Sequence, residues 1–277
     1  MSDQIPELAK WAGEAAGAGL SATLAWNVLG PPSRAIGRRL ERSVDEFDLG
    51  QIGRVVRSAG RKVPNLATPG QVPARVLARV LDEAEWVDEE ILVEYLGGVL
   101  ASSRSPEGLD DRGVTWVGFI RDMSAYALKM HYVIYTCARR LYPDRVESIT
   151  DGSKLHAGRM FIPEHLFMEI LDVADESQRE GVVSHCVFRL HSLGLIADGF
   201  AHSDEPTFLQ THGSFPQATE GGLCVTATAS GVELYMWGHG HGARSLDDFL
   251  DVDLAFERPE GLEVGTGAHL IDDVLEV

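Results

Sequence analysis

Apolar residues recur three and four positions apart through most of the chain, the spacing that sets one face of a helix toward a core. Residues 5–29 predict a first helix rich in small side chains, with Trp11, Leu20, Leu24 and Leu29 on one stripe. Gly30, Pro31 and Pro32 break it, and Ser33 can cap a second helix that carries Ile36, Leu40, Val44 and Phe47. A third helix turns Leu49, Ile52, Val55 and Val56 inward. Residues 63–73 hold three prolines and predict a restricted linker. Two further helices follow, one with Val76, Leu77, Val80 and Leu81 inside, the other with Ile91, Leu92, Tyr95, Leu96, Val99 and Leu100. Residues 114–142 predict a long helix or a broken pair, which Pro143 ends.

Beyond a hinge at residues 144–159 the pattern changes. A helix from Pro163 carries Leu166, Phe167, Ile170 and Leu171, and another runs from about Ser177 to Ser192. "LGLIADGF" then predicts a strand, residues 201–221 a polar loop, and "GLCVTATASGVEL" a returning strand and a last helix. Helix, helix, strand, loop, strand is the order of a winged helix. In the tail, "DLAFERP" and "GLEVGTG" predict a strand pair about the turn at Pro259–Gly261. The expected fold is therefore mainly α. An N-terminal helical domain is followed by a winged-helix-like α+β unit and a short acidic, β-containing tail. The expected divisions are 1–30, 31–143, 144–246 and 247–277.

Charge changes the picture. The 277-residue chain carries a formal net charge of −18, which repels nucleic acid and anionic membrane as a whole. Residues 31–80 nevertheless hold ten basic and four acidic side chains, whereas residues 145–277 hold seven and twenty-three. Arg34, Arg38, Arg39, Arg42, Arg54, Arg57, Arg61 and Lys62 lie off the apolar stripes and form a candidate face for an anionic partner. The winged unit has the opposite balance. Its wing, residues 196–224, contains Asp198, Asp204, Glu205 and Glu220 and no Lys or Arg. Its recognition helix sets Arg179 and Arg189 against Glu176 and Glu180. Phosphate contacts supply most of the affinity for a duplex, so this unit is expected to bind protein or self-assemble and not to read DNA. The one credible nucleic-acid surface is the basic 34–79 face, and a DNA-binding winged-helix regulator using it is the alternative.

Catalytic signatures are missing. No Gly-x-Ser-x-Gly elbow, His-Glu-x-x-His or P-loop occurs, so the expectation is a non-enzymatic protein without a cofactor. His185, Cys186, His191, His202 and His212 cluster in sequence, but His185 and His191 are six residues apart and fall on different helix faces. His239 and His241 alternate with glycines in "WGHGHGARS", a weak candidate ligand site that a metal-dependent hydrolase would need to complete with other ligands. The three cysteines are isolated, and no secretory pattern opens the chain, which predicts reduced thiols and a cytoplasmic protein. Residues 11–29 hold a single charge, Glu14, and are a candidate for peripheral membrane contact. The abundance of Ala, Gly, Val and Arg suggests a GC-rich bacterial gene.

Three segments carry a family resemblance. "LGPPSRAIGRRLERSV", "IGRVVRSAGRKV" and "VPARVLARVLDEAEWVDEEILVEYLGGVLASS" resemble the Abi-alpha (abortive-infection alpha) proteins of bacteria. The third corresponds to that family's P…L.PLLE.A..E.DE.L…WA.LLA block through Pro73, Leu77, Leu81, Ala84, Asp88, Glu89, Leu92, Tyr95, Leu96 and Leu100. The later Leu-Gly-Leu turn and "TATASG" helix start are also similar, so the likeness spans about residues 30–240. Tyr95 and Leu96 stand where the family usually has Trp-Ala, and the tail after residue 243 has no counterpart. The resemblance implies a role in defence against phage through cell death or growth arrest. It implies no catalytic residues.

Overall fold

Where the apolar spacing is helical, the computed structural model places helices. It describes residues 22–30, 46–211, 215 and 218–271. The chain divides into two compact units. One holds the chain up to Asp122 with Trp237–Ala243, and the other holds Met123–Met236 with the chain from Arg244. Among the described residues the protein is mainly helical, with one small four-stranded antiparallel sheet.

The first unit contains α1 (Ala22–Leu29), α2 (Glu46–Lys62), α3 (Ala74–Ala84), α4 (Glu90–Ser103) and α5 (Gly113–Arg121). Two-sided amphipathicity explains the layers. In α3 the buried set is confined to Val76, Leu77, Val80, Leu81 and Ala84, one stripe. In α4 the buried set runs all round the helix, from Ile91 and Val93 through Tyr95, Leu96, Val99 and Leu100, so α4 must be enclosed. Helices α1, α2, α3 and α5 pack against it. The proline-rich linker is fastened by the paired bonds Gln71 N–H to Ser105 O (2.9 Å) and Ser105 N–H to Gln71 O (3.1 Å), and by Val72 N–H to Leu29 O (3.2 Å).

Glycines set the closest approaches to α4. A Cβ on Gly98 would lie 1.8 Å from the carbonyl oxygen of Gly238, and one on Gly97 would lie 2.4 Å from Ser58 Oγ. The segment Trp237–Ala243 seats here. Ser102 donates to Trp237 O (3.0 Å) and accepts from Gly242 N–H (3.0 Å). The Trp237 ring lies 6.4 Å from Trp116, with the Arg112 guanidinium 5.5 Å from its centre.

The second unit begins where Ser124, accepting from Ala127 N–H (3.2 Å), caps α6 (Ala125–Leu141) and so separates it from α5. It continues with α7 (Gly152–Leu155), β1 (Met160–Pro163), α8 (Glu164–Leu171), α9 (Arg179–Ser192), β2 (Ala201–Ser203), α10 (Pro206–Thr211), β3 (Gly222–Val225), α11 (Ala229–Gly238) and β4 (His269–Leu270). Helix α11 closes with Trp237 and Gly238, which belong to the first unit. The sheet order is β2-β3-β1-β4, with Met160 opposite both Val225 and Leu270. The core of the unit is α6, whose buried polar groups bind backbone. The ring Nε2 of His131 lies 3.1 Å from Gly231 O. The Tyr135 and Tyr142 hydroxyls accept from Thr228 N–H and Ala227 N–H (3.0 Å each).

Three sequence expectations change. Residues 160–163 form a strand, where the sequence assigns no element to 160–162 and starts a helix at Pro163: Met-Phe-Ile is buried on both sides, so it lacks the alternation that marks a strand. "LGLIADGF" supplies only the bridge between Ile196 and Ala227, and the strand falls at 201–203, inside the expected loop. The expected tail strand pair does not form. Its turn is present, with Leu262 N–H bonded to Pro259 O (3.3 Å), but tail carbonyls are taken by side chains of α6. Arg140 donates to Val264 O (2.9 Å) and Gly265 O (2.7 Å), and Tyr132 to Leu262 O (3.1 Å).

Replacing Gly98 by Ala should cost about 3 kcal/mol or prevent folding, since backbone lies at the overlap. In α5, Gly118 has nothing within 4 Å of its notional Cβ, so Gly118→Ala should add about 0.5–1 kcal/mol of stability. Urea unfolding of both variants checks the contrast.

Candidate interaction site

Helix α9 buries Val183, Cys186, Val187 and Leu190. That phase leaves Phe188 on the outer side, where it is 62% exposed. Phe200 stands edge-on to it at 5.7 Å, and the His191 ring lies 5.1 Å from Phe200. Phe208 in α10 is 43% exposed. Around these rings the charge is mostly negative. Arg179 pairs with Glu176 (3.4 Å) and His191 Nε2 lies 2.7 Å from Asp198. Glu180, Asp204 and Glu205 form no ion pair among the described residues.

A pocket of about 660 Å³ opens beside this face, lined by Glu164, Glu176, Arg179, Glu180, His202 and Asp204. Burial and the nearby Asp204 charge push the Glu164 carboxyl above its ordinary value, against the opposing pull of Arg179. Burial holds the His202 imidazole below its ordinary value although Asp204 and Glu180 favour its charged form. Its Nε2 is buried without a hydrogen-bond partner, and its ring meets Phe167 edge-on at 5.9 Å. The arrangement can hold a cationic group among carboxylates beside an aromatic anchor.

The candidate basic face is placed differently. Arg34, Arg38, Arg39 and Arg42 lie outside the described residues. Arg57 is half-buried. Arg54 donates to Glu90 (2.6 Å) and Gln51 (2.8 Å). Arg61 pairs with Glu94. Lys62, expected on the outside, is buried. Its Nζ reaches Glu94 Oε2 (2.6 Å), Glu94 O (2.6 Å) and Ser58 Oγ (3.1 Å). Both the Lys62 and Glu94 side chains are 2% exposed. Glu94 is the residue the sequence reading passed over. The signal was a lone carboxylate within the apolar run "ILVEYLGGVL", which must find a cation if that helix is enclosed.

His239 is buried and packs edge-on against Tyr95 at 6.0 Å. The glycines around it answer to packing: Gly240 has φ +85° and faces Lys62, and a Cβ on Gly242 would lie 2.5 Å from the Trp237 ring. His241 is half-buried. Among the described residues no group of three or more His, Cys, Asp or Glu is placed to hold a metal ion. Asp247 accepts from Ile149 N–H (2.7 Å) and Ser148 Oγ (3.1 Å). Cys137, Cys186 and Cys224 are buried and unpaired, and burial pushes their thiols up to about 12, 12 and 11, which disfavours the reactive thiolate. His212 and residues 11–21 lie outside the described residues, and none of the described helices is long and apolar enough to cross a membrane.

Comparison with family models gives no match to this chain, and comparisons with curated proteins and with solved structures give none either.

Glu94→Leu should cost about 3–5 kcal/mol because it strands the buried Lys62 charge, Lys62→Met should cost less because Arg61 still meets Glu94, and the double variant should recover most of the Glu94→Leu loss. Burial by itself would raise the Glu94 carboxyl. Lys62 and Arg61, with hydrogen bonds from Lys62 and Ser58, outweigh it and hold the group below its ordinary value of 4.5. The stabilisation is therefore present above pH 4.5 and is lost as pH falls through the lower folded value. Unfolding free energies measured from pH 6 to pH 3 should show a decline that Glu94→Gln reduces.

Proposed function

We propose that the second unit is a winged-helix module turned to protein binding. The chain would be a non-enzymatic, cytoplasmic effector of bacterial anti-phage defence that acts through a protein partner. The winged reading is supported by the order α6, β1, α8, α9, β2, β3, with the short helices α7 before β1 and α10 between β2 and β3, and by the pairing of β3 with both β1 and β2. In that arrangement α9 takes the place of the recognition helix and β2–β3 that of the wing.

One observation carries the binding assignment: Phe188 stands exposed on the outward face of α9, and the pocket beside Phe208 is lined by Glu180 and Asp204, which form no ion pair among the described residues. A phosphate backbone gains affinity by releasing counterions from cationic contacts, and this surface supplies few. An exposed aromatic ring beside uncompensated negative charge suits a partner with an apolar anchor ringed by Lys or Arg. The occupant is therefore a basic protein surface. The phage-defence assignment rests on the Abi-alpha resemblance of the first unit's segments. A DNA-binding role through residues 34–79 is disfavoured because Arg54, Arg61 and Lys62 are already bound to carboxylates.

Expression in a phage-sensitive bacterium should lower plating efficiency for at least one phage of a broad panel. Phe188→Asp should remove that protection while unfolding within about 0.5 kcal/mol of the parent, as expected for an exposed position. Unchanged plaque counts with the parent chain across the panel would defeat the defence assignment. Full protection by Phe188→Asp would defeat the assignment of the face. Sedimentation of the isolated chain separates a second copy from a different partner: a dimer that Phe188→Asp dissolves would overturn the choice of a basic partner.

A further inference from the structure

Helix α9 and strand β2 run side by side in opposite directions, and the contacts at their ends fix the match. At one end Phe188 of α9 meets Phe200, the residue just before β2, at 5.7 Å. At the other end Glu180 of α9 and Asp204, the residue just after β2, line the same pocket of about 660 Å³. The two lengths agree. Eight residues of helix from Glu180 to Phe188 span about 12 Å, and four residues of extended chain from Phe200 to Asp204 span about 13 Å. Ser184 lies midway on the helix and His202 midway on the strand, and both line the pocket. Glu180, Ser184 and Phe188 follow one another at intervals of four, so they share one face of α9. The surface bounded in this way is a groove with an aromatic end and an acidic end.

Charge at the acidic end is unbalanced. Glu164, Glu176, Glu180 and Asp204 line it against a single cation, Arg179. That cation is taken by Glu176 (3.4 Å). Glu164, Glu180 and Asp204 are left, and none of them forms an ion pair among the described residues. Burial and the Asp204 charge raise the Glu164 carboxyl, so a cation placed beside both acids relieves their repulsion. His202 cancels none of this charge, because burial keeps its ring neutral. At the aromatic end Phe188 is 62% exposed, and Asp198 is taken up by His191 (2.7 Å). Strand β2 ends the sheet, with β3 as its partner strand among the described residues. An outer strand favours ligands in extended form.

We propose that this groove takes an extended segment of a protein partner, one that carries an apolar side chain and a Lys or Arg four residues apart. In extended chain those two positions point to the same side and lie about 13 Å apart. The apolar side chain covers Phe188 and Phe200, and the cation enters among Glu164, Glu180 and Asp204. Unlike ends of the groove set the direction of the segment as well as its register. The inference rests on the protein-binding reading of the second unit and adds to it the form of the ligand.

Selection of a random peptide library against the full chain at about 50 mM salt, where charge contacts are strong, tests it. Enriched sequences should set Lys or Arg four residues from Leu, Ile, Met or an aromatic residue. A synthetic peptide of that kind should bind the Glu180→Gln and Phe188→Asp chains about tenfold more weakly than the parent. Both positions are exposed, so the variants keep the fold. Moving the two peptide residues to a spacing of three turns them to opposite sides and should weaken binding as much. Basic and apolar enrichment with no fixed spacing, or with the spacing of seven that a helix gives, would overturn the groove and leave a basic partner standing. Enrichment of acidic peptides, or none at all, would overturn both together. Unchanged binding by both chain variants would place the peptide elsewhere and also defeat the proposal.

Discussion

Affinity for a nucleic-acid duplex begins with cations, and the face built on α9 and β2–β3 has few, Arg179 and Arg189 on the helix and no Lys or Arg in residues 196–224. That constraint decides between two uses of one shape. A helix set over an antiparallel hairpin can enter a major groove, but only when Lys and Arg draw the phosphates in. Here Arg179 is held by Glu176, and Asp204 and Glu205 stand in the hairpin without ion-pair partners. Phe188, turned out by the helical phase that buries Cys186 and Val187, then becomes the dominant feature of the surface. Sign and exposure together favour a protein ligand.

The first unit shows how far internal packing accounts for residues that look functional. "WGHGHG" has the composition of a ligand loop. Its glycines let the backbone touch α4, where a Cβ on Gly98 has no room beside Gly238 O. His239 closes against Tyr95, and Gly240 takes a positive φ beside Lys62. The basic stripe of α2 is explained likewise. Lys62 and Arg61 answer the buried Glu94, and a cation so committed has little left for an external anion. The buried pair favours one register of α2 on α4, because a slip would strand a charge.

Periodicity revealed most helices of the chain because their stripes are wide and their stops are chemical. Pro73 precedes α3, Ser124 caps α6, and Gly194 at φ +68° follows α9. The short strands were less legible. Met160, Phe161 and Ile162 are buried on both faces and carry no alternation, and the strand of Ala201, His202 and Ser203 reads as loop. The tail misled most, since its apparent hairpin is undone by guanidinium groups more than 110 residues away in sequence. Of the candidate site, the acidity of the wing was plain from composition. The exposure of Phe188 was not, because a phenylalanine within a helix reads first as core. The pairing of Lys62 with Glu94 needed the fold, as the two are 32 residues apart.

The sign of the α9 surface can be measured directly. Hydrogen exchange of the purified chain would be followed at about 50 mM salt, where charge contacts are strong, with an oligolysine peptide in one arm and a mixed-sequence DNA duplex in the other. Slowed exchange across residues 179–192 and 201–225 with the peptide, and none there with the duplex, is the expected result. Protection of those residues by the duplex, fading as salt rises, would contradict the account.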